Sequence, residues 1–228
     1  MSDFQRNREL LGVRLRELRR NAGITGVELA RQLGWMQSKV SRLECGRQTA
    51  SRDDIEAWVA RIRGLETTVV PGLLQTSDYA RHRLAEQPDL HHIPEDVPAA
   101  LAARMQRQQV IYDTGKQFHF ILAESVLRNR LCPPDVMRGQ LDRLTMALGL
   151  PNLKLGILPF SARLPVAPLN GFWIFDEVLV TFETIAAEVH VRDPDEVTLY
   201  ARVFEQFDQV SVYGNEAKAV LAEAFQAL

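Results

Sequence analysis

The stretch GWMQSKVSRLECGR, residues 34–47, decides how the first third of this chain is read. Val40 and Leu43 are three apart, so on a helix they share one face. Ser38, Ser41 and Arg42 then point the other way, with Gln37 at the N-terminal tip and Lys39 flanking it. Gly34 can supply the positive φ of a tight turn, and Gly46 can stop the helix. The spacing predicts a helix from near Gln37 to Gly46, pinned by its apolar stripe, with amide, hydroxyl and guanidinium groups outward.

The flanks extend the pattern. From Arg8 to Arg20, Leu11, Leu15 and Leu18 recur at helical spacing, and Asn21-Ala22-Gly23 stops that helix. Thr25 is a natural N-cap with Glu28 three residues on, which predicts a capping box and a second helix to about Leu33, with Leu29, Ala30 and Leu33 inward. Ser51 caps a fourth helix, with Asp53 and Asp54 in its first turn and Ile55, Trp58 and Val59 inward. Two short helices joined by a glycine-containing turn form a helix-turn-helix. Gln can pair with adenine N6/N7, Arg with guanine O6/N7, and Ser with either. No carboxylate lies between Gln37 and Leu43 to repel phosphates.

At 228 residues the chain is long enough for two domains, and 46% hydrophobic residues are ample for packed cores. Residues 1–63 carry 13 Lys+Arg against 8 Asp+Glu, net +5, and the remainder 14 against 21, net −7. A basic module joined to a larger acidic one places any polyanion contact on the first. No apolar run approaches the ~20 residues of a membrane span, and the start has no signal core. Two cysteines, Cys45 and Cys132, give neither a disulfide framework nor zinc spacing. A cytoplasmic protein with reduced thiols, no cofactor and no metal is expected.

The second module, 64–228, reads as α+β with a small, mostly antiparallel sheet. VVPGLLQT (69–76) is read as an extended stretch and a Pro-Gly turn, leading into a helix capped by Thr76 or Ser77. Strands are expected at 118–124, 153–159, 170–176 and 178–184, with a hairpin turn at Asp176-Glu177 and another strand near 186–191. Helices are expected at 98–111, from Pro133-Pro134 to Gly149, and at 194–212 and 215–227. The module shows no phosphate loop, nucleophile elbow or metal spacing, so no enzyme activity is expected. His91-His92 reads as a solvated loop, His119 and His190 as sheet residues, and Glu183 as a solvent-facing strand position. The proline-rich loop 160–170, carrying Arg163, is longer than a plain connection needs.

Residues 8–60 resemble the XRE helix-turn-helix family, the lambda-repressor/Cro-like DNA-binding domains, through ITGVELARQLGW (24–35) and QSKVSRLECGR (37–47). The whole chain resembles the actinobacterial WhiJ-like regulators, through VVPGLLQTSDYAR (69–81), LPNLKLGILPF (150–160) and NGFWIF (170–175). The resemblance implies a transcriptional regulator of double-stranded DNA, a homodimer on a two-fold operator. It places base contacts on Gln37, Ser38, Ser41 and Arg42, and phosphate contacts on Thr25, Lys39 and Arg47. Glu44 would be a structural brace paired with Arg19, and Trp35 a packing residue. It also implies a small partner protein as an alternative role for the C-terminal module, with a small-molecule signal as a further candidate. Four departures stand out. Gly26 replaces a common Gln, and Met36 a capping Ser or Thr, forgoing ~1 kcal/mol. Cys45, expected as a packed thiol, replaces a common Asn. The helical stretch that usually precedes VVPGLL is missing near residue 60.

Overall fold

The computed structural model describes residues 3–91 and 96–228, which leaves His92 of the His91-His92 pair and the His91 side chain outside the described residues. By internal contacts the chain divides into two compact units, Met1–Arg63 with Phe172–Val203, and Gly64–Gly171 with Phe204–Leu228. No helix among the described residues is long and apolar enough to cross a membrane.

The first unit begins with four helices, α1 (Asp3–Asn21), α2 (Gly26–Gln32), α3 (Gln37–Glu44) and α4 (Arg52–Trp58). Gly23 ends α1 at φ +72, and Gly34 turns the chain between α2 and α3 at φ +66, a region that side chains with a Cβ rarely adopt. Thr25 accepts from the Glu28 N–H at 3.1 Å, a plain N-cap. The full reciprocal capping box belongs to α4, between Ser51 and Asp54. Leu11, Leu15, Leu29, Ala30, Val40, Leu43, Ile55 and Trp58 form the core. Trp58 donates its indole N–H to the Leu15 carbonyl at 3.1 Å. Gly12 lets α1 and α3 touch: a Cβ there would lie 2.6 Å from the Leu43 carbonyl oxygen. No other residue fits without moving backbone.

Two residues after α4, the chain enters β1 (Arg61–Glu66), a strand where the sequence reading expected no element. The same unit holds the antiparallel run β4 (Phe172–Phe175), β5 (Leu179–Glu183) and β6 (Glu188–Val191). The β4–β5 turn has positive φ at both Asp176 (43°) and Glu177 (61°), the pair of left-handed residues that tight hairpins demand. Asp176 turns its carboxylate on the start of β1, accepting from the N–H groups of Ala60 (2.6 Å) and Arg61 (2.8 Å). Arg52, the first residue of α4, donates to Glu56 and Glu188 and lies 4.6 Å from the centre of the Trp173 ring.

In the second unit, β2 (Gln117–Ala123) and β3 (Leu153–Leu158) run parallel, from Phe118 opposite Leu153 to Ala123 opposite Leu158. Two helices, α7 (Glu124–Arg128) and α8 (Pro134–Ala147), lie in the connection. A parallel pair requires such a crossover. The six strands are ordered β3-β2-β1-β4-β5-β6, so the sheet is mixed. The remaining helices are α5 (Ser77–His91), α6 (Val97–Arg107), α9 (Pro194–Val210) and α10 (Gly214–Gln226). The fold is thus an all-α helix-turn-helix followed by an α+β region.

The Pro-Gly turn of VVPGLLQT is a buried 3-10 turn, Gly72–Leu74, with extended backbone at Gln75 after it. Three buried glutamines hold its backbone. Gln75 donates to Val70 O, Gln108 to Gly72 O and Gln75 O, and Gln140 to Leu74 O while accepting from Thr76 N–H. A turn this deep leaves carbonyls that water cannot reach, and the amide side chains satisfy them.

Candidate nucleic-acid interface

α3 is buried on one side through Val40, Leu43 and Glu44. Gln37, Ser38, Ser41 and Arg42 are exposed on the other. The four residues named as base readers therefore share the outward surface of one eight-residue helix. Arg42 is pre-oriented: its Nε donates to Gln48 Oε1 at 3.0 Å. That leaves the terminal nitrogens of its fork for a planar acceptor pair. Gln48 was not legible as a site residue, because it lies beyond the helix, after the Gly46 stop.

Of the three residues named for phosphate, Thr25 is exposed at the N-cap of α2, and Arg47 is exposed just after α3. Lys39 is placed differently. Its ammonium sits 2.5 Å from Asp54 Oδ1 and 3.8 Å from the centre of the Trp35 ring. It ties α3 to the capping box of α4, and Trp35 in turn packs beside Trp58 at 6.2 Å. Burial pushes the Asp54 carboxyl up, but hydrogen bonds from Lys39 and Ser51 outweigh it and hold the pKa below the usual value.

Glu44, 8% exposed, accepts from Arg19 Nε at 2.5 Å and from its terminal nitrogen at 3.0 Å, and Arg16 Nε approaches at 3.3 Å. The hydrogen bond to Glu44 raises the Arg19 pKa despite burial. Arg19 also donates to the Ile24 carbonyl at 2.8 Å, so one guanidinium links α1, the turn before α2, and α3. Arg16 was not singled out from sequence, although it lies three residues, about one turn, before Arg19 on α1. Met36 caps α3 without a side-chain hydrogen bond. Cys45, expected as a packed thiol, is exposed, with an Arg16 terminal nitrogen 3.4 Å from its sulfur. It falls at the helix end, past the turn that faces the core.

In the second unit His119 is more than a sheet residue. Its Nε2 lies 3.0 Å from the Tyr213 hydroxyl and 3.3 Å from Asp208 Oδ1. Tyr213 donates to Asp208, and Lys154 holds both Asp208 oxygens at 2.8 and 3.1 Å. Tyr213 lies on Gly156, where a Cβ would meet its ring at 2.5 Å. Burial pushes the Asp208 carboxyl up, but Lys154, Tyr213 and His119 together hold it lowered. Burial and Asp208 raise the Tyr213 hydroxyl. The cluster fastens the α9–α10 junction to β2 and β3. His190 contacts Arg192 and Glu188, and Glu183 faces solvent near Arg52. Among the described residues, no group of three or more His, Cys, Asp or Glu is placed to hold a metal ion.

Two family models match the chain. One, described as a helix-turn-helix domain, covers residues 10–68. The other, described as a domain of unknown function (DUF5753), covers residues 53–223, most of the chain. No curated protein and no solved structure gives a significant match. The helix-turn-helix domain is of the kind by which regulators bind DNA, and the chain belongs to the DUF5753 family, with that domain at its N-terminal end.

Proposed function

We propose that the chain is a sequence-specific transcriptional regulator of the XRE type. In this reading it binds double-stranded DNA as a homodimer on a two-fold operator, in the cytoplasm and without a cofactor. It is a binding protein rather than an enzyme. The observation that carries the reading is the division of α3: Val40, Leu43 and Glu44 are buried, while Gln37, Ser38, Ser41 and Arg42 are exposed together. Two such helices, one per protomer, would enter successive major grooves about 34 Å apart. Thr25 and Arg47 would fix register on the phosphates, with Lys39 kept on Asp54 as a brace. The acidic C-terminal part would dimerise or take up a signal. Genome-wide mapping of bound DNA tests this. A recovered two-fold motif with half-sites about one helical turn apart supports it. Uniform, sequence-independent occupancy goes against it.

A second reading has its own observation. The loop after β3 exposes Phe160, Leu164, Val166 and Leu169, the last 90% exposed. Four exposed apolar side chains within ten residues of one loop are a candidate surface for a protein contact if they gather into one patch. They favour docking of a small partner protein, with DNA binding then serving autoregulation. Co-purification at fixed stoichiometry, lost when Phe160 and Leu169 become Ser, would favour it. A complex indifferent to those changes would not.

A further inference from the structure

Met36 stands out on the outward surface of the helix-turn-helix. It is 75% exposed, at the N-cap of α3, immediately before Gln37. Its backbone is extended (φ −74, ψ 137), so the side chain leaves before the first helical turn. No hydrogen bond from this side chain caps α3, although Ser or Thr would supply one at this site. The position thus carries a long apolar side chain where a short polar one would stabilise the helix more. The first turn of α2 reaches the same helix, since a Cβ on Gly26 would lie 3.7 Å from Val40 Cγ1. The next residue, Val27, is 66% exposed. Met36 makes the tip of the proposed reading helix apolar as well as amide-bearing.

Among the groups that base pairs show in the major groove, only the C5 methyl of thymine is apolar. The N-terminal part of a recognition helix is the part that meets bases. Met is unbranched and polarizable, and can settle against a methyl group without exact shape complementarity. We propose that Met36 is a specificity-determining residue that packs on a thymine methyl next to the base pair read by Gln37. This inference rests on the DNA-binding reading above.

The test uses the full chain and a duplex selected from a random library. Each thymine of the selected duplex is replaced in turn by deoxyuridine, which removes the methyl and leaves base pairing intact. Binding is measured at fixed salt for the wild type and for Met36→Ser. Burial of one methyl-sized group is equivalent to about a fourfold change in affinity. In the wild type, one deoxyuridine per half-site should weaken binding about three- to fivefold. In Met36→Ser that same replacement should have almost no effect. Met36→Ser should melt no lower than the wild type, since it adds a cap, so weak binding by it cannot be laid to unfolding. The proposal is overturned if the wild type tolerates every deoxyuridine, or if Met36→Ser keeps the same penalty at the same thymine. If selection with the wild type enriches no duplex, the DNA-binding reading itself falls, and this proposal with it.

Discussion

Replacing Glu44 by Gln keeps the shape of the side chain but removes the charge that two arginines share. In the folded protein Glu44 accepts from Arg19 at 2.5 and 3.0 Å, and Arg16 lies at 3.3 Å. The Arg19 side chain is almost as buried as Glu44, so the substitution leaves a guanidinium facing an amide NH₂ with little water nearby. Breaking a buried pair from one side costs about 3–5 kcal/mol. Arg19 keeps the Ile24 carbonyl and Arg16 keeps the Glu44 carbonyl, so the lower end, about 3 kcal/mol, is expected. With a urea m-value of about 1–3 kcal/mol/M, the midpoint should fall by about 1–3 M. The assay is selective because all three tryptophans, Trp35, Trp58 and Trp173, lie in the first unit, so their fluorescence follows that unit. Replacing both Arg19 and Glu44 by Leu should cost less than the sum of the two single changes. A midpoint shift equivalent to under about 0.5 kcal/mol for Glu44→Gln would refute the brace, because that is the range of an ordinary surface change.

Three further outcomes follow from particular contacts. The Asp208 carboxyl is held below its ordinary pKa, so its contribution is complete above about pH 4 and is lost as pH falls through the lowered folded value. Asp208→Asn should cost about 1–2 kcal/mol near neutrality and flatten the acid limb of stability followed by amide exchange in β2 and β3; an unchanged acid limb would contradict this. Glu177→Gly relieves a φ of 61°, worth about 1 kcal/mol, but takes the exposed Glu177 carboxylate from the buried Arg63 at a similar cost, so thermal melting should change by less than about 1 kcal/mol; a larger loss would mean that the pair with Arg63 outweighs the strain. Gln48→Ala should leave the melting temperature unchanged but weaken binding to a selected duplex by roughly threefold to tenfold, since Arg42 loses the group that aims it; equal binding would mean that the Gln48 contact has no bearing on recognition.

The helical third was legible because its signals are local. Thr25, Gly34, Gly46 and Ser51 mark ends within a few residues of what they end, and the 3–4 spacing of apolar residues needs no partner to be read. The β4–β5 turn was legible for the same reason. β1 was not. Its sequence, RIRGLE, carries arginines and a glycine, and Arg63 is buried against Glu177 from a distant hairpin. The parallel pairing of β2 and β3 depends on the path of the crossover between them, which periodicity does not encode. Gly12 had no sequence signature, because what it needs is the backbone of α3. The outward set on α3 followed from the helical wheel alone. The engagement of Lys39 by Asp54, 15 positions on, like that of His119 by Tyr213, 94 positions on, is a fact of tertiary contact. Exposed polar residues can be listed from a sequence; which of them are already occupied cannot.

The claim that the outer surface of α3 reads bases is tested most directly by base-pair scanning of a selected duplex with the wild type, Arg42→Ala and Gln37→Ala. Each variant should lose about 1–3 kcal/mol on the selected site and become indifferent at one base pair per half-site, a different one for each. Unchanged affinity and an unchanged preference profile in both variants would contradict it.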